Sequence, residues 1–403
     1  MARNRIIYNV EGLFIGPYSG EQNPLTDYYL NGYQILKRIE KVQNFTYSID
    51  QSRINLAGFG SKKNIFQGNF NSPTVNFNFS YIPDGVTNEN RLNFNVNHFS
   101  GSNAPMFSGL CKDNSITDEK DFYLVINKNE NDLHGNYTLT NLDINPTTVN
   151  NVIDPNSKNY AVLNFQNCYL TDYNFRVSVD SIPIVTQSYI SDNINFYISG
   201  SGIRYTTLDL KSGINQPQTD QIIIPKALNY NQTGISGQNI LLPGNASVTF
   251  YPNNTTGVLF YTDIIQSLEY SLSFQRKALR SLNYKFPLGR KILFPINGKL
   301  STSFIVEKNL SGSFFDTLNR DDDYNVVVDF NKCSNNAGVY PTKLTFSGCK
   351  FNNINYDSSI GSNKVANLSF DFDLDPDFGN RGIFVSGNVL YGVLNNTKKV
   401  LIF

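Results

Sequence analysis

Alternation of apolar and polar residues at a period of two is the feature that most limits what this chain can become. In residues 74–82, Val75, Phe77, Phe79 and Tyr81 share one face, and Asn76, Asn78 and Ser80 take the other. Residues 92–98 set Leu92, Phe94 and Val96 against Asn93, Asn95 and Asn97. Residues 368–375 set Leu368, Phe370, Phe372 and Leu374 against Ser369, Asp371, Asp373 and Asp375. Such a pattern lays one strand face on a core and the other in water. Further strand-like runs lie at 122–126, 161–165, 173–179, 222–224, 248–251, 258–261, 301–306, 324–330, 344–346, 383–386 and 389–394, separated by turn signals such as Pro83-Asp84-Gly85 and Asn297-Gly298. Helical signal is confined to 104–112 and 312–319, with an ambiguous stretch at 34–42. The expected fold class is mostly β, antiparallel, built as sandwiches or barrels.

The strands also repeat. Val42–Ile49 is similar to Ile265–Leu272, and each is followed by an arginine, Arg53 and Arg276. An alternating strand follows in each half (74–82; 299–306), then a short helix-like stretch (104–112; 312–319). An acid-led apolar strand comes next, with Asp121–Ile126 set against Asp323–Val328, and Leu163–Cys168 then matches Leu344–Cys349. Five anchors in one order point to an internal duplication. The expected domains are 1–202 and 203–403, the second more diverged. Tyr47 to Cys168 spans 121 residues against 79 from Tyr270 to Cys349, so the first half carries a long insertion within 83–120 and 127–160.

Charge excludes several roles. The chain has 33 Lys+Arg against 33 Asp+Glu, so it is no general polyanion binder. Its 30 Phe and 24 Tyr supply ample core material. No run of 18 apolar residues suggests a membrane span, and Asn9 and Glu11 interrupt the N-terminal apolar run, so no signal peptide is read. On that reading, the Asn-x-Ser/Thr sequons reflect composition rather than glycosylation. Four cysteines do not make a disulfide scaffold; reduced thiols are expected, with Cys168 and Cys349 as small buried hydrophobes. Only His98 and His134 are available as imidazole bases, and no nucleophile-elbow, zincin or Walker glycine motif occurs. The expectation is no enzyme, no cofactor and no metal. Asp371, Asp373, Asp375 and Asp377 read as a solvated acidic strand face, with a calcium site as the alternative. Asp321-Asp322-Asp323 reads as a solvated turn. Arg276, Lys277, Arg280, Lys285, Arg290 and Lys291 make a basic run without an acid. A nucleic-acid patch is one reading; contact with an acidic neighbouring subunit is the favoured one. Residues 1–202 hold 14 Lys/Arg and 18 Asp/Glu, a net −4, and 203–403 hold 19 and 15, a net +4, which suits head-to-tail neighbours, with drift between the duplicated copies as the alternative.

The order of an opening strand (Asn4–Phe14), a V-Q-x-x-x-Y-S-I segment, an arginine, a Pro-led strand, a short helix and the late segment Cys168–Pro183 resembles the tail tube proteins of tailed bacteriophages. Leu170–Pro183 is the most specific part, similar to the family's late strand–turn–strand. The second half offers Ile360-Gly361-Ser362-Asn363 where Ser181-Ile182-Pro183 stands in the first. The resemblance implies two tandem tail-tube-like domains, each a β-sandwich or half-barrel flanked by a short helix. It implies a structural virion protein of the phage tail, made in the host cytoplasm. Three chains would mimic a hexameric ring, and rings would stack into a conduit for genome delivery. Implied partners are the chain itself, the tape measure protein, tail-end proteins and viral DNA in transit without specific binding; no membrane is involved. Such a lumen must not grip a polyanion. Asn76, Asn78, Asp371, Asp373 and Asp375 are the lumen-facing candidates, with outer solvent as the alternative for those faces. The insertion is the candidate stacking loop. Rival readings are another ring-forming tail or baseplate component and a carbohydrate-binding β-sandwich adhesin.

Overall fold

The computed structural model describes residues 11–16, 29–30, 33–51, 53–57, 59–60, 62, 64–69, 72–83, 85–96, 105–111, 118–127, 152–153, 160–179, 181–198, 204–208, 211, 215–225, 246–252, 260–262, 264–306, 322–330, 342–358, 364–374, 381–387, 393–394 and 398–399. The molecule is mostly β. Among the described residues its principal sheet has 16 strands. The first eight are β1 (Glu11–Gly16), β2 (Lys37–Arg38), β3 (Val42–Asp50), β4 (Thr74–Tyr81), β5 (Lys120–Asn127), β6 (Tyr160–Ser178), β7 (Ile184–Ser191) and β8 (Asn193–Ile198). The second eight are β9 (Ala246–Pro252), β10 (Phe260–Thr262), β11 (Ile265–Ser273), β12 (Ile296–Ile305), β13 (Asp323–Phe330), β14 (Thr342–Asp357), β15 (Val365–Leu374) and β16 (Gly382–Ser386). Two short helices, α1 (Thr87–Arg91) and α2 (Ser108–Cys111), belong to the first set.

Both sets are wired alike. In the first, β1 pairs with β2 and β5, β5 with β6, β6 with β8 and β7, β7 with β4, and β4 with β3. Adding eight to each label gives the second set's pairing: β9 with β10 and β13, β13 with β14, β14 with β16 and β15, β15 with β12, and β12 with β11. Register repeats as well. β3–β4 maps onto β11–β12 at an offset of 223, with the bulge after Val42 reproduced after Ile265. β6–β7 maps onto β14–β15 at an offset of 181, with the bulge at Leu170/Asp172 reproduced at Phe351/Asn353. Bulges bend a strand at fixed places, so shared bulges mean shared curvature. The boundary at 202/203 lies outside the described residues.

Each long strand serves two layers. The first part of β6 pairs with β5 and β8; the rest pairs with β7 and β11. The bend sits at Asn167 (φ 54) and, at the offset of 181, at Gly348 (φ 75). Only Gly, and next Asn, enters this left-handed region cheaply, which accounts for the Asn-Cys and Gly-Cys pairs of the two anchors. The cysteines that follow, Cys168 and Cys349, are both fully buried. In the first set aromatics fill the space between layers: Phe122 meets Phe77 at 5.3 Å and Tyr189 at 4.7 Å. In the second, Phe370 meets Phe250 at 5.6 Å and Tyr324 at 6.2 Å. Gly298 faces Phe372 directly across β12–β15, and a Cβ there would run into that ring.

Three local expectations change. Of residues 92–98, the described part, 92–96, is not a strand. Leu92 ends α1, Asn93 takes φ 58, and the Phe94 amide donates back to the Glu89 carbonyl at 2.9 Å. The alternation of Leu92 and Phe94 reflects two side chains turned into the core from a helix end. The ambiguous stretch 34–42 is extended through Tyr33–Ile35 and β2 and then turns at Glu40 and Lys41 (φ 55). The sequence match of Asp121 to Asp323 slides by two: Lys120 lies opposite Cys168 as Tyr324 lies opposite Cys349, an offset of 204. The helix expected at 312–319 falls outside the described residues, and of 104–112 the described part is 105–111, in which only Ser108–Cys111 is helical.

Candidate functional site

The sheet runs without a break from β3 through β4, β7, β6, β11, β12 and β15 to β14. Residues directly opposite one another share a face, so the register chain traces one surface across all eight strands. From Asp371 it passes to Lys299, Ser271, Asn174, Thr186 and Ser80. Asn76, Asn78, Asp371 and Asp373 all lie on this polar face, with Val75, Phe77, Phe79, Phe370 and Phe372 buried behind them. The Asn76 amide donates to Asp50 Oδ2 at 3.2 Å, and the Thr46 hydroxyl donates to Asn78 Oδ1 at 2.8 Å. Thr46, Ser48, Asn76, Asn78, Asp172 and Ser188 line a shallow polar trough there. Its cations sit opposite acids: Arg176 faces Glu269, and Lys299 and Lys350 flank Asp371. Asp375 and Asp377 fall outside the described residues. Among the described residues no cluster of His, Cys, Asp or Glu is placed to hold a metal ion, and no helix is long and apolar enough to cross a membrane.

Among the described residues, one strand-to-strand joint connects the two sets. β11 pairs with the last part of β6, from Asp172 opposite Ser273 to Ser178 opposite Ser267. On the core side Phe175 stacks on Tyr270 at 5.3 Å, Tyr173 on Tyr270 at 5.8 Å, and Tyr270 meets Phe346 edge-on at 5.1 Å. A two-stranded hairpin, Arg276–Leu279 with Gly289–Ile292, follows β11 and clamps the joint. The Arg276 guanidinium donates to both oxygens of Asp118 at 2.5 and 2.7 Å and to the Leu170 carbonyl at 2.8 Å, and lies 5.3 Å from the Tyr169 ring centroid. Arg290 donates to Asp192 at 2.5 and 3.3 Å. Beside the clamp, burial and the neighbouring Asp118 push Glu119 up to about 7.

These contacts decide the fate of the basic run. Arg276 and Arg290 spend their charge inside the chain, on acids 158 and 98 residues away. The sequence set the whole run against an acidic neighbouring subunit; for these two the acid found lies in the other half of the same chain. Lys277, Arg280, Lys285 and Lys291 stay exposed on the hairpin, with Leu282 and Phe294 beside them. Residues 85–96, part of the expected stacking insertion, are mostly buried: Tyr81 and Tyr173 donate to Glu89 at 2.6 and 3.2 Å, and Arg91 donates to Glu40 at 2.9 Å. Most of 127–160, His98 and His134 lie outside the described residues. Sequence reasoning missed Asp118, Asp192 and Glu89. The one available signal was the arginine following each V-Q-x-x-x-Y-like strand.

No protein-family model matches the chain, and no curated protein matches it. Among solved structures, a chain of the six-fold symmetrised cryo-EM structure of the anti-feeding prophage baseplate aligns with 36% of this chain and 93% of its own length, at 19% identity and a TM-score of 0.26. At that score the likeness establishes neither a shared fold nor a shared role.

Proposed function

We propose that the chain is a structural subunit of a phage-like tail, a tail tube protein whose copies form stacked rings around a channel for genome delivery. The observation that carries the reading is the single polar face running across eight strands of two equally wired units. Two units per chain let three chains present six, a ring of pseudo-sixfold symmetry. The polar face, with Asn76, Asn78, Asp371 and Asp373, would form the channel wall. Its arginine and lysines are set opposite carboxylates, so passing DNA would find no free run of cations and release few counterions by sticking. The tape measure protein would fill that channel before DNA does, and tail-end proteins would close it. The sequence resemblance to tail tube proteins supports the same reading. The protein would then act in the virion tail without catalysis or cofactor.

Negative-stain microscopy with mass photometry on the purified chain tests this. The expected result is rings or tubes with a central hole, built in multiples of three chains, that leave duplex DNA unbound at low salt. A chain that stays monomeric at every concentration, or rings that retain DNA tightly, would refute it.

A further inference from the structure

The internal joint has an unmatched counterpart. β11 is covered on one side by β12 and on the other by β6. Its equivalent β3 is paired, among the described residues, only with β4. The last part of β14, equivalent to the stretch of β6 that receives β11, is paired among the described residues only with β15. Each molecule thus carries one half of the joint at each end.

Exposure marks the same two edges. Tyr47 and Ile49 on β3 are 46% and 50% exposed, and Tyr356 on β14 is 46% exposed. Their equivalents within the joint, Tyr270, Leu272 and Phe175, are only 2–3% exposed. All three exposed side chains lie on the core face, opposite the buried Phe77, Val75 and Ala366. Unpaired strand edges bearing apolar side chains are templates for another strand.

We infer that β14 of one copy pairs antiparallel with β3 of the next, repeating the β6–β11 joint between chains. Transferring the internal register by the offsets of 181 and 223 sets Ile354 opposite Ile49, Asn355 opposite Ser48, Tyr356 opposite Tyr47 and Asp357 opposite Thr46. Core-face residues meet core-face residues, and polar meet polar. A slip of one residue would reverse every face. The Tyr356–Tyr47 pair takes the place of the Phe175–Tyr270 stack.

The clamp transfers too. The hairpin Arg53–Ala57 with Asn64–Asn69 pairs Arg53 opposite Asn69, as Arg276 lies opposite Ile292, again at an offset of 223. Arg53 is therefore the counterpart of Arg276. Asp322 is the counterpart of Asp118 at the offset of 204, and Phe351 of Leu170 at 181. Arg53 and Asp322 are both exposed in the single chain. Between copies, Arg53 would donate to Asp322 and to the Phe351 carbonyl. The contact is heterologous, so it closes into a ring or runs on as a filament. It names the subunit contact of the ring proposed above and rests on that reading for its closure.

Charge reversal tests the contact. Arg53→Asp and Asp322→Arg should each weaken self-association by about tenfold or more, and the chain carrying both should assemble as the wild type does, with all variants melting as the wild type melts. For register, Ser48→Cys with Asn355→Cys, in a background with Cys111 and Cys333 replaced by serine, should cross-link between chains on oxidation. Ser48→Cys with Asn353→Cys, two residues out of register, should not. Single reversals that assemble normally, a double variant that stays dissociated, or cross-linking only in the shifted pair would overturn the inference. Rings that persist in each single-reversal variant would sink this contact and leave the ring reading standing. A wild-type chain that never associates would end both.

Discussion

Arg276→Ala tests whether the hairpin clamp holds the two strand sets together. The guanidinium side chain is 2% exposed and the Asp118 side chain 14%. Removing the arginine deletes a bidentate pair, a hydrogen bond to the Leu170 carbonyl and a contact with the Tyr169 ring. It leaves a carboxylate in a partly dry site beside the carboxyl of Glu119. Breaking a buried pair from one side costs about 3–5 kcal/mol, because the partner's desolvation is no longer offset. Arg276→Lys should recover only part of that, since an ammonium cannot fork onto two oxygens and reach a carbonyl as well. The chain has no Trp, so urea unfolding is followed by tyrosine fluorescence and circular dichroism. Lys277→Ala, at the next and exposed position, should stay within about 0.5 kcal/mol. In a double-mutant cycle, Arg276→Ala with Asp118→Ala should show a coupling of about 2 kcal/mol or more. A loss below about 1 kcal/mol for Arg276→Ala, or one that vanishes in high salt, would mean the pair behaves as a surface ion pair, and the clamp argument would fail.

Gly298→Ala should destabilise by about 1–3 kcal/mol, because the new methyl must displace the Phe372 ring; the same cycle with Phe372→Leu should relieve part of it. Glu119 has a folded pKa raised from 4.5 to about 7, so its contribution to stability is present below pH 4.5 and is lost as pH rises through 7. That amounts to about 3 kcal/mol, and Glu119→Gln should flatten the slope of stability between pH 5 and 7; an unchanged slope would contradict the assignment. Glu89→Ala removes the acceptor of two buried tyrosine hydroxyls and should cost about 2–4 kcal/mol by urea midpoint. Asn76→Arg with Asn78→Arg should leave folding and ring assembly intact while making the rings retain DNA at low salt; rings that stay DNA-free would count against a channel-facing role.

Alternation of period two was enough to tell from the sequence which side of β4 and β15 is buried, because a strand offers only two faces and Phe77 or Phe370 can be satisfied on only one of them. The repeat was legible for a related reason: Cys168 and Cys349 occupy fully buried positions just after a left-handed residue, where few other residues fit. Sliding a strand by two residues leaves its faces unchanged, so the pattern matched Asp121 to Asp323 when cross-strand register makes Asn325 the equivalent of Asp121. Short α1 carries no 3.6-residue stripe to read; it is held by Asn88, which exchanges hydrogen bonds with the Glu40 backbone at 2.9 and 3.0 Å, and by Arg91 on Glu40. Which cations stay exposed and which are spent was a tertiary decision. Arg276 and Lys277 are neighbours in the chain, but only Arg276 meets Asp118, because only the folded joint brings β11 beside β6. Local patterns record which face of a strand is dry; which strand lies next to it, and which edge is left open for a second copy, depends on contacts between residues far apart in the chain.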